Sequence, residues 1–112
     1  MFSLIIPVYN EEGLIDEMAL RSVKAIESFT DHYEILFIND GSTDSTLHKL
    51  IEVRKRFSKI KIVDLSRNFG HQAAFTAGLE VAMGNYVAMM DGDLQDPPEL
   101  LAQMYHKIKD EG

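Results

Sequence analysis

A chain of 112 residues is long enough to bury one core unaided, and it holds no cysteine, which excludes a disulfide framework, thiol catalysis and thiolate metal sites. Eighteen Asp and Glu against eleven Lys and Arg give a formal charge of -7, which argues against binding a nucleic-acid backbone. An anionic substrate would need a cation as intermediary, held by oxygen or imidazole ligands.

No apolar run approaches the ~18 to 20 residues of a membrane-spanning helix, so the segment predicts no membrane passage of its own. The opening "MFSLIIPVYN" lacks the basic flank and small-residue cleavage site of a secretory signal and reads as a strand. Four short apolar runs are predicted strands: Ser3 to Tyr9, Glu34 to Asn39, Ile60 to Ser66 and Tyr86 to Asp91. They are nearly continuous rather than alternating, the pattern of strands buried on both faces.

Helical periods lie between them. Ile15, Met18, Ala19, Val23, Ile26 and Phe29 form one stripe, and Leu47, Leu50, Ile51 and Phe57 a second. In the third intervening segment Gly70, Ala73, Ala74, Ala77, Gly78, Val81 and Ala82 fall on roughly one side, so the helix is expected to approach its sheet closely and to end at Gly84. The fourth opens on Pro97 and Pro98, with Asp96 as its cap, and continues through Leu101, Met104, Tyr105 and Ile108. The closing "KIKDEG" reads as a helix end after which another element could begin, the pattern of a piece of a longer chain.

Strand-helix alternation repeated four times predicts an α/β fold, an open parallel sheet with helices on both faces. Such sheets bind ligands beyond the carboxyl ends of their strands. All four strand ends here are polar: "YNEE", "NDGSTDS", "SRN" and "DGDLQD". Ser42, Thr43 and Asp44 suit helix capping as well as ligand contact. Asp91 and Asp93 precede their helix by several residues, too far for a cap. Their i, i+2 spacing around Gly92 lets both carboxylates turn toward one point, where Mg²⁺ or Mn²⁺ would relieve their repulsion and bridge to substrate phosphates. Neither G-x-G-x-x-G nor G-x-x-x-x-G-K-[ST] occurs, so dinucleotide and P-loop readings lack their motif. Asp40 could accept hydrogen bonds from a base or ribose; Tyr9 could face a base or join the core. His32, His48 and His106 read as surface residues.

Taken together, "IPVYNEE", "INDGSTDST", "LSRNFGHQAAFTAGLEVA" and "MDGDLQDPPE" resemble the inverting family 2 glycosyltransferases of the GT-A fold, in particular the branch of dolichol-phosphate and polyprenyl-phosphate sugar transferases. The resemblance implies a Rossmann-like nucleotide-binding half in which Pro7, Tyr9, Glu11, Ile38 and Asp40 line the nucleoside pocket of a UDP- or GDP-linked sugar. It also implies that Asp91 and Asp93 are the metal ligands, with Gly92 and Gln95 beside them, and that Arg67 and His71 stand at the diphosphate or acceptor edge. The acceptor implied is a polyprenyl phosphate or a saccharide. By the same likeness, residues 1–112 are the donor-binding part of a larger enzyme. Its catalytic base and acceptor elements are expected beyond Gly112, and membrane helices would hold it at the cytoplasmic face. Two other readings compete: a receiver-like Mg²⁺-binding regulatory domain, whose acceptor aspartate should stand at the end of the third strand, where this sequence reads "DLSRN" with Asp64 expected inside the strand, and a non-catalytic nucleotide-binding module.

Overall fold

The computed structural model describes residues 1–93 and 97–111, apart from the side chains of Ile108, Asp110 and Glu111. Four strands, β1 (Phe2–Val8), β2 (Tyr33–Asn39), β3 (Ile60–Asp64) and β4 (Tyr86–Met89), form one parallel sheet in the order β3-β2-β1-β4. The helices α1 (Ile15–Glu27), α2 (Thr46–Arg56), α3 (His71–Val81) and α4 (Leu101–Glu111) alternate with and follow the strands, and a 3-10 turn at Pro98–Leu100 leads into α4.

Alternation along β1 sorts the helices between the two faces. Phe2, Leu4, Ile6 and Val8 pack with Ile15, Met18, Ile26, Leu50, Val53 and Leu101, so α1, α2 and α4 cover one side. Ile5 packs with Leu36, Ile38 and Ala74, so α3 covers the other. β1 and β2 are buried along their whole length, as their continuous apolar runs require. The edge strands β3 and β4 are only partly covered, and both are shorter than their apolar runs suggest. Tyr105 stacks on Phe29 at 4.5 Å between centroids and meets Phe2 edge-on, which ties α4 to the amino-terminal end of β1.

The α1 stripe is buried as its period predicts, apart from a half-buried Phe29 just past the helix. The third helix departs from expectation. Gly78 lies against Ile5, where an added Cβ would come within 2.6 Å of the isoleucine side chain, so the close approach is real. Ala73 and Val81, however, face solvent, because only the i, i+4 pair Ala74 and Gly78 is centred on the sheet. Gly84 is not the helix end either, since α3 stops at Val81. A Cβ at Gly84 would lie 2.5 Å from Ser3 Oγ, so close packing against β1 accounts for the glycine. The expected cap, Asp96, lies outside the described residues.

One buried charge ties the amino-terminal end of the sheet together. Glu34 is 1% exposed and accepts hydrogen bonds from Ser3 Oγ (2.6 Å), Lys61 Nζ (2.8 Å) and Met83 N (2.7 Å), linking β1, β2, β3 and the turn before β4. Burial opposes its ionisation, but Lys61, the Met83 amide and Ser3 outweigh burial and hold the carboxyl below its usual value of 4.5. With a depressed folded pKa, its contribution to stability is complete above about pH 4.5 and is lost as pH falls through the folded value. Glu34→Gln is therefore expected to cost about 1–3 kcal/mol near neutral pH and much less in acid, as urea melts across pH 3 to 7 would measure.

Candidate functional site

In this sheet, backbone groups of odd-numbered β1 residues face β4, as the Met90 N–H to Ile5 carbonyl bond (3.0 Å) shows. The next donor on that side would be Pro7, which has no N–H, and the β4 ladder ends there. On the other side pairing continues, with Asp40 N–H donating to the Val8 carbonyl at 2.9 Å. A two-lobed cleft opens at the carboxyl edge around Pro7.

The larger lobe, about 410 Å³, is lined by Pro7, Glu11, His71, Asp91, Gly92 and Asp93. The smaller, about 180 Å³, is lined by Pro7, Val8, Tyr9, Asp40, Asn68, Gly70 and His71. Pro7 and His71 belong to both. Gly92 presses on β1 so closely that a Cβ would stand 2.6 Å from the Pro7 carbonyl, which lets the Asp91–Asp93 turn lie across the strand end. His71, the first residue of α3, brings Nε2 to 3.1 Å from Asp91 Oδ1.

The carboxylates at this edge fall into two groups. Asp40, 4% exposed, accepts hydrogen bonds from the Phe69 (2.8 Å) and Gly70 (3.2 Å) amides. It thereby holds the turn where Gly70 takes a φ of 100°, a conformation that favours glycine. Asp44 accepts from Thr46 N at 2.9 Å and from Glu12 N at 3.4 Å, so it belongs to the start of α2. Asn10, with a φ of 51°, accepts through Oδ1 from Thr43 N at 2.8 Å and donates its own N–H to Ser42 Oγ at 3.0 Å. Ser42 and Thr43 thus stitch this loop to Asn10, and Asp44 bonds the first amide of α2.

Glu11, Asp91 and Asp93 instead face the larger lobe. Burial, then the charges of Asp93 and Asp44, push the Glu11 carboxyl above its usual 4.5, so its ionisation costs stability as pH rises through that range. Positive charge in the lobe would relieve this. Among the described residues no three His, Asp or Glu side chains are grouped to enclose an ion by themselves. Two adjacent hard-oxygen donors that leave other positions to water and phosphate suit Mg²⁺ or Mn²⁺.

Of the residues singled out in the sequence, Pro7, Tyr9, Glu11, Asp40, His71, Asp91, Gly92 and Asp93 meet at the cleft. Tyr9 is 44% exposed and is not a core residue. Glu11 lines the larger lobe beside Asp91 and Asp93. Ile38 is completely buried under α3 and does not line the cleft. Arg67 stands over the Phe69 ring at 4.7 Å and lines neither lobe. Gln95 lies outside the described residues. Asn68 and Gly70 were not foreseen individually, although the polar cluster at the end of β3 was the signal for them. Asp64, expected inside the third strand, is instead the last residue of the shorter β3; it lines neither lobe, is exposed and accepts from Asn39 Nδ2 at 2.8 Å.

Comparison with known proteins agrees with this architecture. The chain belongs to glycosyl transferase family 2, which it matches over residues 3–112. An uncharacterized glycosyltransferase of Bacillus subtilis, YkcC, is 46% identical over 109 residues, covering 97% of this chain and 34% of the relative. The chain thus spans about a third of the length of the curated relatives it matches. Among solved structures, S. aureus TarS 1-349 in complex with UDP-GlcNAc superposes with a TM-score of 0.77 at 28% identity, over 98% of this chain and 31% of that one. The mannosyltransferase PcManGT from Pyrobaculum calidifontis, in complex with GDP-Man and Mn²⁺, gives 0.73 at 26% identity, over 82% of this chain and 27% of that one. The fold is the open parallel α/β sheet of GT-A glycosyltransferases.

Asp40→Asn sets an amide where two backbone N–H donors converge. It is expected to lower stability by about 1–3 kcal/mol even without ligand, which chemical denaturation would measure.

Proposed function

We propose that the chain is the donor-binding part of a longer glycosyltransferase that passes a sugar from a UDP- or GDP-linked donor to a polyprenyl phosphate, with inversion at the anomeric carbon. The observation that carries this reading is the two-lobed cleft, in which a lobe with an aromatic ring opens through Pro7 and His71 into a lobe of carboxylates. A nucleoside fits the first, with Tyr9 against the base and the remaining lone pairs of Asp40 toward base or ribose. The diphosphate then falls beside Asp91 and Asp93. TarS with UDP-GlcNAc and PcManGT with GDP-Man and Mn²⁺ support a nucleotide-sugar donor on this fold.

Asp91 and Asp93 would hold the divalent cation. When bound, the cation neutralises charge developing on the diphosphate leaving group. Gly92 lets the acidic turn lie against β1, and His71 stands between the lobes where the diphosphate must pass. Arg67 is assigned to the outer rim of the acceptor side. The catalytic base and most of the acceptor site are assigned to the part of the protein that follows. No described helix is long and apolar enough to cross a membrane, and attachment at the cytoplasmic face is assigned to that same remainder.

Calorimetry with UDP and GDP tests the reading. Nucleotide is expected to bind in the presence of Mn²⁺ and not in EDTA, and Asp91→Ala or Asp93→Ala should weaken Mn²⁺-dependent binding by roughly tenfold or more. Equal binding in EDTA, or unaltered binding by both variants, would refute it. The chain alone is expected to transfer little or no sugar to a polyprenyl phosphate.

A further inference from the structure

The acidic turn is held against β1 on one side, and the 3-10 turn further along the chain is joined to α1 by an ion pair. On the near side, Met90 is bonded to β1 and Gly92 presses on Pro7. On the far side, just beyond the Pro97-Pro98 pair, Glu99 is gripped by Arg21 of α1. Arg21 Nη2 donates to Glu99 Oε1 at 2.6 Å and Nε to Oε2 at 3.1 Å, a two-pronged fork, while Nη1 donates to Glu17 Oε2 at 3.1 Å. Arg21 holds the Glu99 carboxyl below its usual value.

Isolated surface ion pairs contribute little, but bidentate Arg-carboxylate pairs within a network are the exception. This one joins distant parts of the chain. Arg21 rides on the helix that follows the Tyr9 and Glu11 loop, and Glu99 sits in the 3-10 turn that follows Asp91 and Asp93. Pro98 and Leu101, buried on either side of Glu99, give the turn a firm seat on α1.

We propose that Arg21 and Glu99 are positioning residues that register the metal-binding turn against α1, so that Asp91 and Asp93 meet the diphosphate at the distance set by the nucleoside lobe. This rests on the donor-site reading above. Neither side chain lines the cleft, so the pair acts only through the segments it joins.

The direction of the mutational effects separates positioning from simple charge. Arg21→Ala makes an acidic chain more negative and by charge alone would tighten Mn²⁺; Glu99→Gln would by charge alone weaken it. Registration requires both to weaken it. The experiment is titration of UDP with Mn²⁺ into wild type, Arg21→Ala, Glu99→Gln, Glu17→Gln and the double exchange Arg21→Glu with Glu99→Arg, with the folded fraction followed by circular dichroism. Arg21→Ala and Glu99→Gln are expected to remain folded and each to lose about three- to tenfold in affinity. Glu17→Gln should bind like wild type, and the exchange should recover affinity to within about twofold. Wild-type affinity or tighter in Arg21→Ala, or no recovery in the exchange, overturns the proposal while normal wild-type binding leaves the donor site standing. A folded wild type that binds neither UDP nor Mn²⁺ overturns the donor site and this inference together.

Discussion

The missing N–H of Pro7 is the constraint from which the site follows. β1 lies between β2 and β4, and its odd residues direct their peptide groups toward β4. After Ile5 accepts from Met90, the next rung would need a proton that proline lacks, so the fourth strand leaves the sheet while β2 continues alongside β1. The space between the diverging chains is the cleft. The same residue carries its ring on the α3 face and its carbonyl against Gly92, so one residue shapes both lobes.

Charge is distributed around that opening by what each carboxylate has to bond with. Asp40 and Asp44 receive backbone N–H groups from neighbouring turns, so their negative charge is offset within the protein. Glu11, Asp91 and Asp93 line the larger lobe, and the His71 imidazole stands 3.1 Å from Asp91. An acidic domain with its repulsion concentrated at one lobe is suited to a ligand that arrives as cation plus phosphate. At the opposite end of the sheet, Glu34 shows the alternative solution, a buried carboxylate fully engaged by Lys61, Ser3 and an amide. The first group faces a cavity, and the second is sealed within the fold.

The alternation of elements, the parallel sheet and the burial of β1 and β2 were legible because they depend on residue periods of two and 3.6 over short stretches. That Asp91 and Asp93 stand just past the end of a strand was legible for a related reason, since a strand's end is a local property. Side-chain direction at strand ends was less so. Tyr9 and Ile38 occupy comparable positions near the ends of adjacent strands, yet one is exposed over the cleft and the other is sealed beneath α3. The α3 helix shows the same limit: its run of small residues announced close packing, but which pair touches the sheet depended on the helix's rotation against Ile5.

By itself, then, the sequence determined which segments become strands and helices, that polar residues gather at one edge of the sheet, and which carboxylates are too far from a helix to cap it. The tertiary structure alone decided that Asp40 and Asp44 take backbone N–H groups from neighbouring turns, that Asn10 stitches the first two loops, and that Arg21 reaches Glu99 across the chain. The physical reason is range: periodicity and capping act over a few residues, whereas these hydrogen bonds join groups separated by whole strands and helices, and only the packed sheet brings them within reach.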